Sequence, residues 1–578
     1  MISGCASLAL LALLAAACGS KEPARPVAGS GDAAFSRLAK AILNDRYARH
    51  PSEATDLGIH TFDDRLEDFS AGAFAAESQS QKDFRAQIAA TDAATLTLDN
   101  ALDREQLLRA LDAQVLDIDT IRMWRKDPDA YSSGITNAAF TIMKRNFAPA
   151  ATRLKALIAR EKAMPAALQE AHRNLTEAVP IYTQIAIEQI DGNVSFFKND
   201  VPAAFTDVDD AALLAEFKQT NAAVIAALGD YKTFLVKEVS PKAMTAFAYG
   251  ADTFSKALAA TEMVNLPIDR LLEIAEADRQ KNETEFQSVA RQIDPRKSAD
   301  VVLQAIEKDR PTAGKLLETT QATLDSIRAF IVAHHIVTIP PSDPAQVVET
   351  PPFLRSTTSA SMDTPGPFET AQVHAFYNMT LPDPRGTAAE QADFMRQWYY
   401  PSISNVSVHE VYPGHFIQFL YAKNFPTDVR KVFGANTNIE GWAHYCEQMM
   451  LDEGFHAGEP SFRLAQLQDA LLRDVRFIVG IKLHTQGMTV EEATKLFETE
   501  GHQPHPVAVS EAKRGTADAL FGYYTLGKLM ILKLREDYKT KMGAAYTLQG
   551  FHDALMKLGP LPLPLVRRAL LGAEGSLL

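Results

Sequence analysis

The stretch SVHEVYPGHFIQFLYAKN, residues 407–424, places two histidines and a carboxylate at a spacing that can do chemistry. A zinc-binding hydrolytic helix reads H-E-x-x-H. Two histidines one turn apart hold the ion, and the glutamate beside the first takes a proton from water. Here Glu410 follows His409, but the fourth residue on is Pro413, and His415 arrives two residues later. On an unbroken helix, at about 100° per residue, the two histidines would point about 120° apart and could not easily share one ion. Pro413 removes a helical N–H, and Gly414 tolerates unusual backbone angles. Two arrangements follow. Either the extra residues bulge out and return His415 to an i+4 position, or one helix ends at Tyr412 and another starts near His415. A proline–glycine pair inside a helix costs on the order of 3–4 kcal/mol, and ligand placement is a reason to bear it.

A catalytic zinc site needs three protein ligands, an open position and a base. The third ligand is expected on NTNIEGWAHYCEQMMLDEG, residues 436–454, where Asn436, Thr437 or Asn438 can cap the start of a helix. Helical spacing puts Glu440, His444 and Glu447 on one face and Trp442 on another. A carboxylate stripe with a histidine is costly to bury unless it meets a metal or cations. Glu440 is the expected ligand, and Glu447 the residue that orients a ligand histidine. The alternative is a solvated acidic face. A di-iron carboxylate site requires paired E-x-x-H motifs on facing helices. This sequence carries E-x-x-x-x-H and E-x-x-x-H instead.

The elements that must position these groups are mostly helical. From about residue 34 to 336, segments such as EQLLRALDAQVLDIDTIRMW repeat apolar residues at three and four spacing. Seven prolines between Pro340 and Pro367 forbid a helix through 337–372. VHAFYNMTL, 373–381, predicts a short strand, and helical patterning returns near 388. The expected fold is mostly α, a large helical body with a small β element beside the metal-binding helix pair. It divides either into a helical cleft-wall region over 34–385 and a metal-binding catalytic region over 386–578, or runs as one body over 34–578. The 578 residues carry a formal net charge of −14, which argues against a nucleic-acid partner.

The first residues predict export. Residues 6–17 form an apolar run too short to span a bilayer, ending in Ala15, Ala16 and Ala17 before Cys18. This is similar to a bacterial lipoprotein signal over 1–17, with Cys18 lipidated and 18–33 a flexible polar tether. Ser20, where an aspartate would retain the protein at the inner membrane, points to the periplasmic face of the outer membrane. A lipid anchor is then the expected membrane attachment. After processing only Cys446 remains as a free thiol, so no intramolecular disulfide is expected and a large core must carry stability. Cys446 reads as packing, and His502 and His505 in GHQPHP as loop residues.

HEVYPGH followed by EGWAHYCE resembles the bacterial family known as domain of unknown function 885, placed among the gluzincin-like metallopeptidases. Dipeptidyl peptidase III likewise carries an extra residue before its second zinc histidine. SMDTPGPFE and VHAFYNMTL resemble the segment before the family's zinc helix. SEAKRGTADALFGYYTLGKLMILKLRE resembles its E-x-x-R…Y-x-x-G segment, at Glu511, Arg514, Tyr524 and Gly527. The resemblance implies that His409, His415 and Glu440 bind zinc and Glu410 is the base. It implies that His484 and Tyr524 hydrogen-bond the oxyanion and that Arg514 holds a substrate carboxylate. Each of these three also has a structural reading: a core histidine, a packing aromatic, an ion pair. His444 falls at a variable motif position and reads as structural. Gly480 stands where the family usually has an aspartate. The implied activity is hydrolysis of peptide bonds in the cell envelope. The alternatives are a non-catalytic lipoprotein that binds peptides or an envelope partner, and hydrolysis of another amide such as a cell-wall peptide.

Overall fold

The computed structural model describes residues 27–351, 355, 358–371 and 373–578. Cys18 and the expected signal lie outside them. The end of the expected tether is not loose. Residues 27–31 form a turn, Gly31 N donates to Thr95 O at 2.9 Å, and the first helix starts at Asp32. The fold is mostly helical, as the periodicity indicates, with one small sheet.

Seven helices build the candidate site: α1 (Ala251–Glu262), α2 (Ile268–Ile293), α3 (Tyr400–Glu410), α4 (His415–Ala422), α5 (Asn436–Asp452), α6 (Pro460–Thr485) and α7 (Tyr523–Met542). The long helices α2 and α6 pack along one another. A buried polar chain ties them to α7. Asn282 Nδ2 donates to Asp474 Oδ2 at 2.6 Å, Thr525 Oγ1 to Asp474 Oδ1 at 2.8 Å, and Lys528 Nζ to Asp278 Oδ2 at 2.8 Å.

Helices α5 and α7 cross at two glycines. A Cβ on Gly527 would lie 2.0 Å from Thr437 O, and one on Gly441 2.5 Å from Gly527 Cα. Only glycine lets the two backbones approach this closely. The crossing holds Glu440 of α5 against the first turn of α7, which carries Tyr524.

The sheet has the order β1-β3-β2, with β1 (Gln346–Glu349) parallel to β3 (Phe376–Met379) and β2 (Ala360–Asp363) antiparallel to it. β3 is the expected strand. β1 and β2 lie in the proline-rich stretch, where four-residue strands between prolines leave no readable alternation. One apolar cluster takes buried residues from both sides of position 385, among them Leu271, Tyr377, Trp398, Trp442 and Leu563. A second cluster, between Tyr131 and Val239, belongs to the N-terminal helices alone.

Candidate metal centre

The motif resolves as two helices, not as a bulge. α3 ends at Glu410, residues 411–414 are non-helical, and α4 begins at His415. Gly414 N donates back to Val408 O at 3.1 Å, so the chain folds tightly under the end of α3. A Cβ on Gly414 would stand 1.8 Å from His409 O. The glycine is therefore required for close approach, and the fold-back brings His415 to the same side as His409. Trp442 Nε1 takes up Pro413 O at 2.9 Å, fixing the connection against α5.

The start of α5 also differs from expectation. None of Asn436, Thr437 and Asn438 caps it with a side chain; its N-cap is Ala435. The buried carboxylate of Glu262, at the end of α1, does the job. It accepts from Asn436 N at 3.2 Å, Thr437 N at 2.8 Å and Thr437 Oγ1 at 2.6 Å. A carboxylate there satisfies the unpaired N–H groups and faces the positive end of the helix dipole.

His409, His415 and Glu440 converge, with one donor atom from each lying within 4.8 Å of the others. Glu440 Oε2 is 3.5 Å from His409 Nε2 and 3.4 Å from His415 Nε2. Tetrahedral ligands at about 2.0–2.1 Å from zinc are about 3.3–3.4 Å apart, so these separations fit. Glu440 Oε2 and His415 Nδ1 have no hydrogen-bond partner among the described residues. A buried carboxylate oxygen left without a donor between two imidazoles asks for a cation. The two-histidine, one-carboxylate donor set suits zinc. Glu440 keeps 22% of its side chain exposed.

Behind His409 lies a charged second layer. Glu447, fully buried, accepts from His409 Nδ1 at 2.7 Å and from Arg473 Nη2 at 2.9 Å. Its other oxygen takes His444 Nδ1 at 3.2 Å and Asn405 Nδ2 at 3.3 Å. Asn405 Nδ2 also donates to Asp469 Oδ2 at 2.6 Å. The Nδ1 contact turns His409 Nε2 toward Glu440. Burial alone would push the His409 imidazolium down, but Glu440 and Glu447 outweigh it and hold the ring up at about 9. Burial would raise Glu447, and the charge of Arg473 with His444 and His409 keeps it well below the usual range. Burial likewise opposes ionisation of Glu440, and His415 and His409 overcome it.

Glu410 stands beside this cluster. Its Oε2 accepts from Met362 N, on β2, at 3.0 Å. Burial raises its carboxyl above the ordinary value, against the pull of His409 and His415. Tyr524 is also at the centre: its ring centroid lies 6.3 Å from that of His409. Arg514 Nη2 reaches Tyr524 Oη at 3.3 Å and Asp518 Oδ2 at 3.3 Å, and its side chain is 40% exposed. Glu511 is a structural ion pair, accepting two bonds from Arg476 at 2.7 Å each.

His484 is a correction. Its Nε2 donates to Gly515 O at 2.9 Å and its Nδ1 accepts from Tyr249 N at 3.3 Å. With both nitrogens committed to backbone groups and the ring buried, no donor remains for an oxyanion. Burial pushes its imidazolium down to about 4, so the ring is neutral. Gly480, one turn earlier, packs tightly: a Cβ there would meet Ala519 O at 2.8 Å. His444 is buried beside Glu447, and Cys446 is a buried free thiol that burial holds in the neutral form. His502 bridges Asp300 at 2.7 Å and Glu283 at 2.8 Å.

Sequence reasoning missed Arg473, Asn405, Asp469 and the Met362 N–H. A local signal was Asp469 and Arg473, opposite charges one turn apart on α6, a helix that also carries the buried Asp474 and Arg476.

The chain matches the model of the family described as bacterial protein of unknown function (DUF885) over residues 51–570. No curated protein matches it. A candidate lipoprotein of unknown function from Shewanella oneidensis superposes with a TM-score of 0.78 at 24% identity, over 93% of this chain and 99% of that one. A candidate lipoprotein from Colwellia psychrerythraea does so with a TM-score of 0.80 at 16% identity, over 94% and 99%. These likenesses establish the shared fold, and the family match spans most of the sequence: the chain belongs to the DUF885 family of bacterial proteins.

Proposed function

We propose that the protein is a zinc-dependent peptidase of the bacterial cell envelope. The observation that carries this reading is the convergence of His409, His415 and Glu440, whose Oε2 lies between the two imidazoles with no hydrogen-bond partner among the described residues, with Glu410 adjacent in sequence to His409. Those three residues would hold the ion, and Glu447 would keep His409 Nε2 facing it. Zinc there would supply Lewis acidity, enough to bring the pKa of a water to about 7. Glu410 is the base. Met362 N–H holds its Oε2, fixing the carboxylate beside the cluster while it takes a proton from water as the oxygen attacks the peptide carbonyl. The same carboxyl then returns the proton to the leaving amine nitrogen, so the products are one carboxylate and one amine. Tyr524 Oη, steered by Arg514, is the donor toward the carbonyl oxygen, and Arg514 is exposed enough to meet a substrate carboxylate.

Glu410→Gln tests the chemistry. The variant should fold and bind zinc but lose about 10²–10⁴-fold in kcat. Wild-type turnover in that variant refutes the mechanism. A zinc-loaded parent that cleaves nothing across a broad peptide library supports a peptide-binding scaffold instead.

The envelope location rests on the Ala15–Cys18 junction and on structural neighbours described as candidate lipoproteins. The mature protein should begin at a lipidated Cys18 on the periplasmic face of the outer membrane. Cys18→Ser should leave it unprocessed or soluble, and mass spectrometry finding an unmodified mature N-terminus elsewhere rules this out.

A further inference from the structure

A cavity of about 310 Å³ lies among the elements that carry the metal centre. The elements that carry the centre build its walls. β2 supplies Met362, whose N–H holds Glu410; α4 supplies Phe419, one turn past His415; α5 supplies Ile439, next to Glu440. Phe425, Phe433 and Leu555 complete an apolar lining. The volume lies at the lower end of ligand pockets, enough for one large side chain rather than an extended chain.

The charged groups in the lining are all paired within the protein. Asp363 binds Lys144 at 3.2 Å and Arg145 at 2.7 Å, and Asp56 pairs with the same lysine. Arg430 is held by Asp99 at 2.9 Å and Asp103 at 2.8 Å, and Lys431 by Asp428 at 3.2 Å. Of the lining amides, Gln418 Nε2 donates to Asn438 O at 3.3 Å and Asn438 Nδ2 to Leu561 O at 2.8 Å, while Gln418 Oε1 is a buried acceptor without a hydrogen-bond partner among the described residues. No uncompensated charge is left to select a charged occupant, and the remaining surface favours apolar burial.

We infer that this cavity is the side-chain specificity pocket of the centre and takes a large neutral apolar side chain flanking the bond to be cut. The inference rests on the peptidase reading above. Two pentapeptides with free termini, one with a central phenylalanine and one with a central alanine, test it on the zinc-loaded full chain. The wild type should prefer the phenylalanine peptide by at least about tenfold in kcat/KM. Ala422→Phe, which fills the cavity from α4, should abolish the preference while zinc stoichiometry is retained. Phe425→Ala, which opens a wall, should shrink it and serves if Ala422→Phe does not fold. Cleavage of both peptides at equal efficiency overturns the pocket and leaves the peptidase reading standing. If neither peptide is cut, equilibrium binding decides the pocket. Tighter binding of the phenylalanine peptide, lost in Ala422→Phe, upholds it as a binding site; equal affinities overturn it.

Discussion

Glu447→Ala strikes two functions of one buried carboxylate, and they can be separated. The side chain holds His409 at 2.7 Å and Arg473 at 2.9 Å. Losing the acceptor behind a ligand histidine typically weakens metal binding by about 10–100-fold, or about 1.4–2.7 kcal/mol. Removing one partner of a buried ion pair strands the other, and a stranded Arg473, with 11% of its side chain exposed, costs about 3–5 kcal/mol of stability. Urea unfolding of the metal-free protein reads the second effect. Competition against a chromophoric zinc chelator reads the first. Adding Arg473→Met to Glu447→Ala removes the stranded cation and should recover much of the stability. It should leave zinc binding weak, because His409 Nδ1 still lacks its acceptor. Wild-type zinc affinity in either variant would falsify the orientation argument. Recovery of affinity in step with stability would mean that Glu447 acts only through the fold.

Glu440→Ala should abolish stoichiometric zinc by elemental analysis, whereas His444→Ala, which removes a contact behind the ligand layer, should largely keep it. Equal zinc content in the Glu440 variant and the parent overturns the ligand assignment. Gly414→Ala forces a Cβ into His409 O and should displace the start of α4, lowering zinc stoichiometry even where circular dichroism shows retained helix; full zinc occupancy contradicts the close-approach argument. His484 is neutral in the fold, with a pKa of about 4 against about 6.5 unfolded. Its contribution is complete above pH 6.5 and is lost as pH falls toward 4, because the unfolded chain then takes up a proton that the native one refuses. The loss is about 1.4 kcal/mol per pH unit, about 3 kcal/mol in all. His484→Asn should flatten the stability profile across that window, and an unchanged slope would show that the ring is not the group refusing the proton.

The spacing of His409, Glu410 and His415, and the shared face of Glu440 and Glu447 on one helix, were legible because they are local. A helix writes its faces into the sequence every three to four residues. The candidate ligand trio and the carboxylate behind it could therefore be named without coordinates. The same periodicity announced the helical body, and the prolines over 337–372 announced its interruption. The strand at Phe376–Met379 was legible from its aromatic and β-branched neighbours.

What surrounds those residues came from contacts between distant parts of the chain, which leave no periodic trace. Met362 N–H meets Glu410 across 48 residues, and Glu262 caps α5 across 175. His484 illustrates the limit in the other direction. A histidine on a helix has the same sequence signature whether its nitrogens are free or taken, and only Tyr249 and Gly515, packed from elsewhere, decide that they are taken. The choice between bulge and broken helix likewise turned on Trp442 holding Pro413 O and on the space beneath Gly414. By itself the sequence determined which side chains could bind a metal and that helices would carry them. The tertiary structure decided which of them share one site, because burial and long-range hydrogen bonding, not local propensity, set where each polar atom finds its partner.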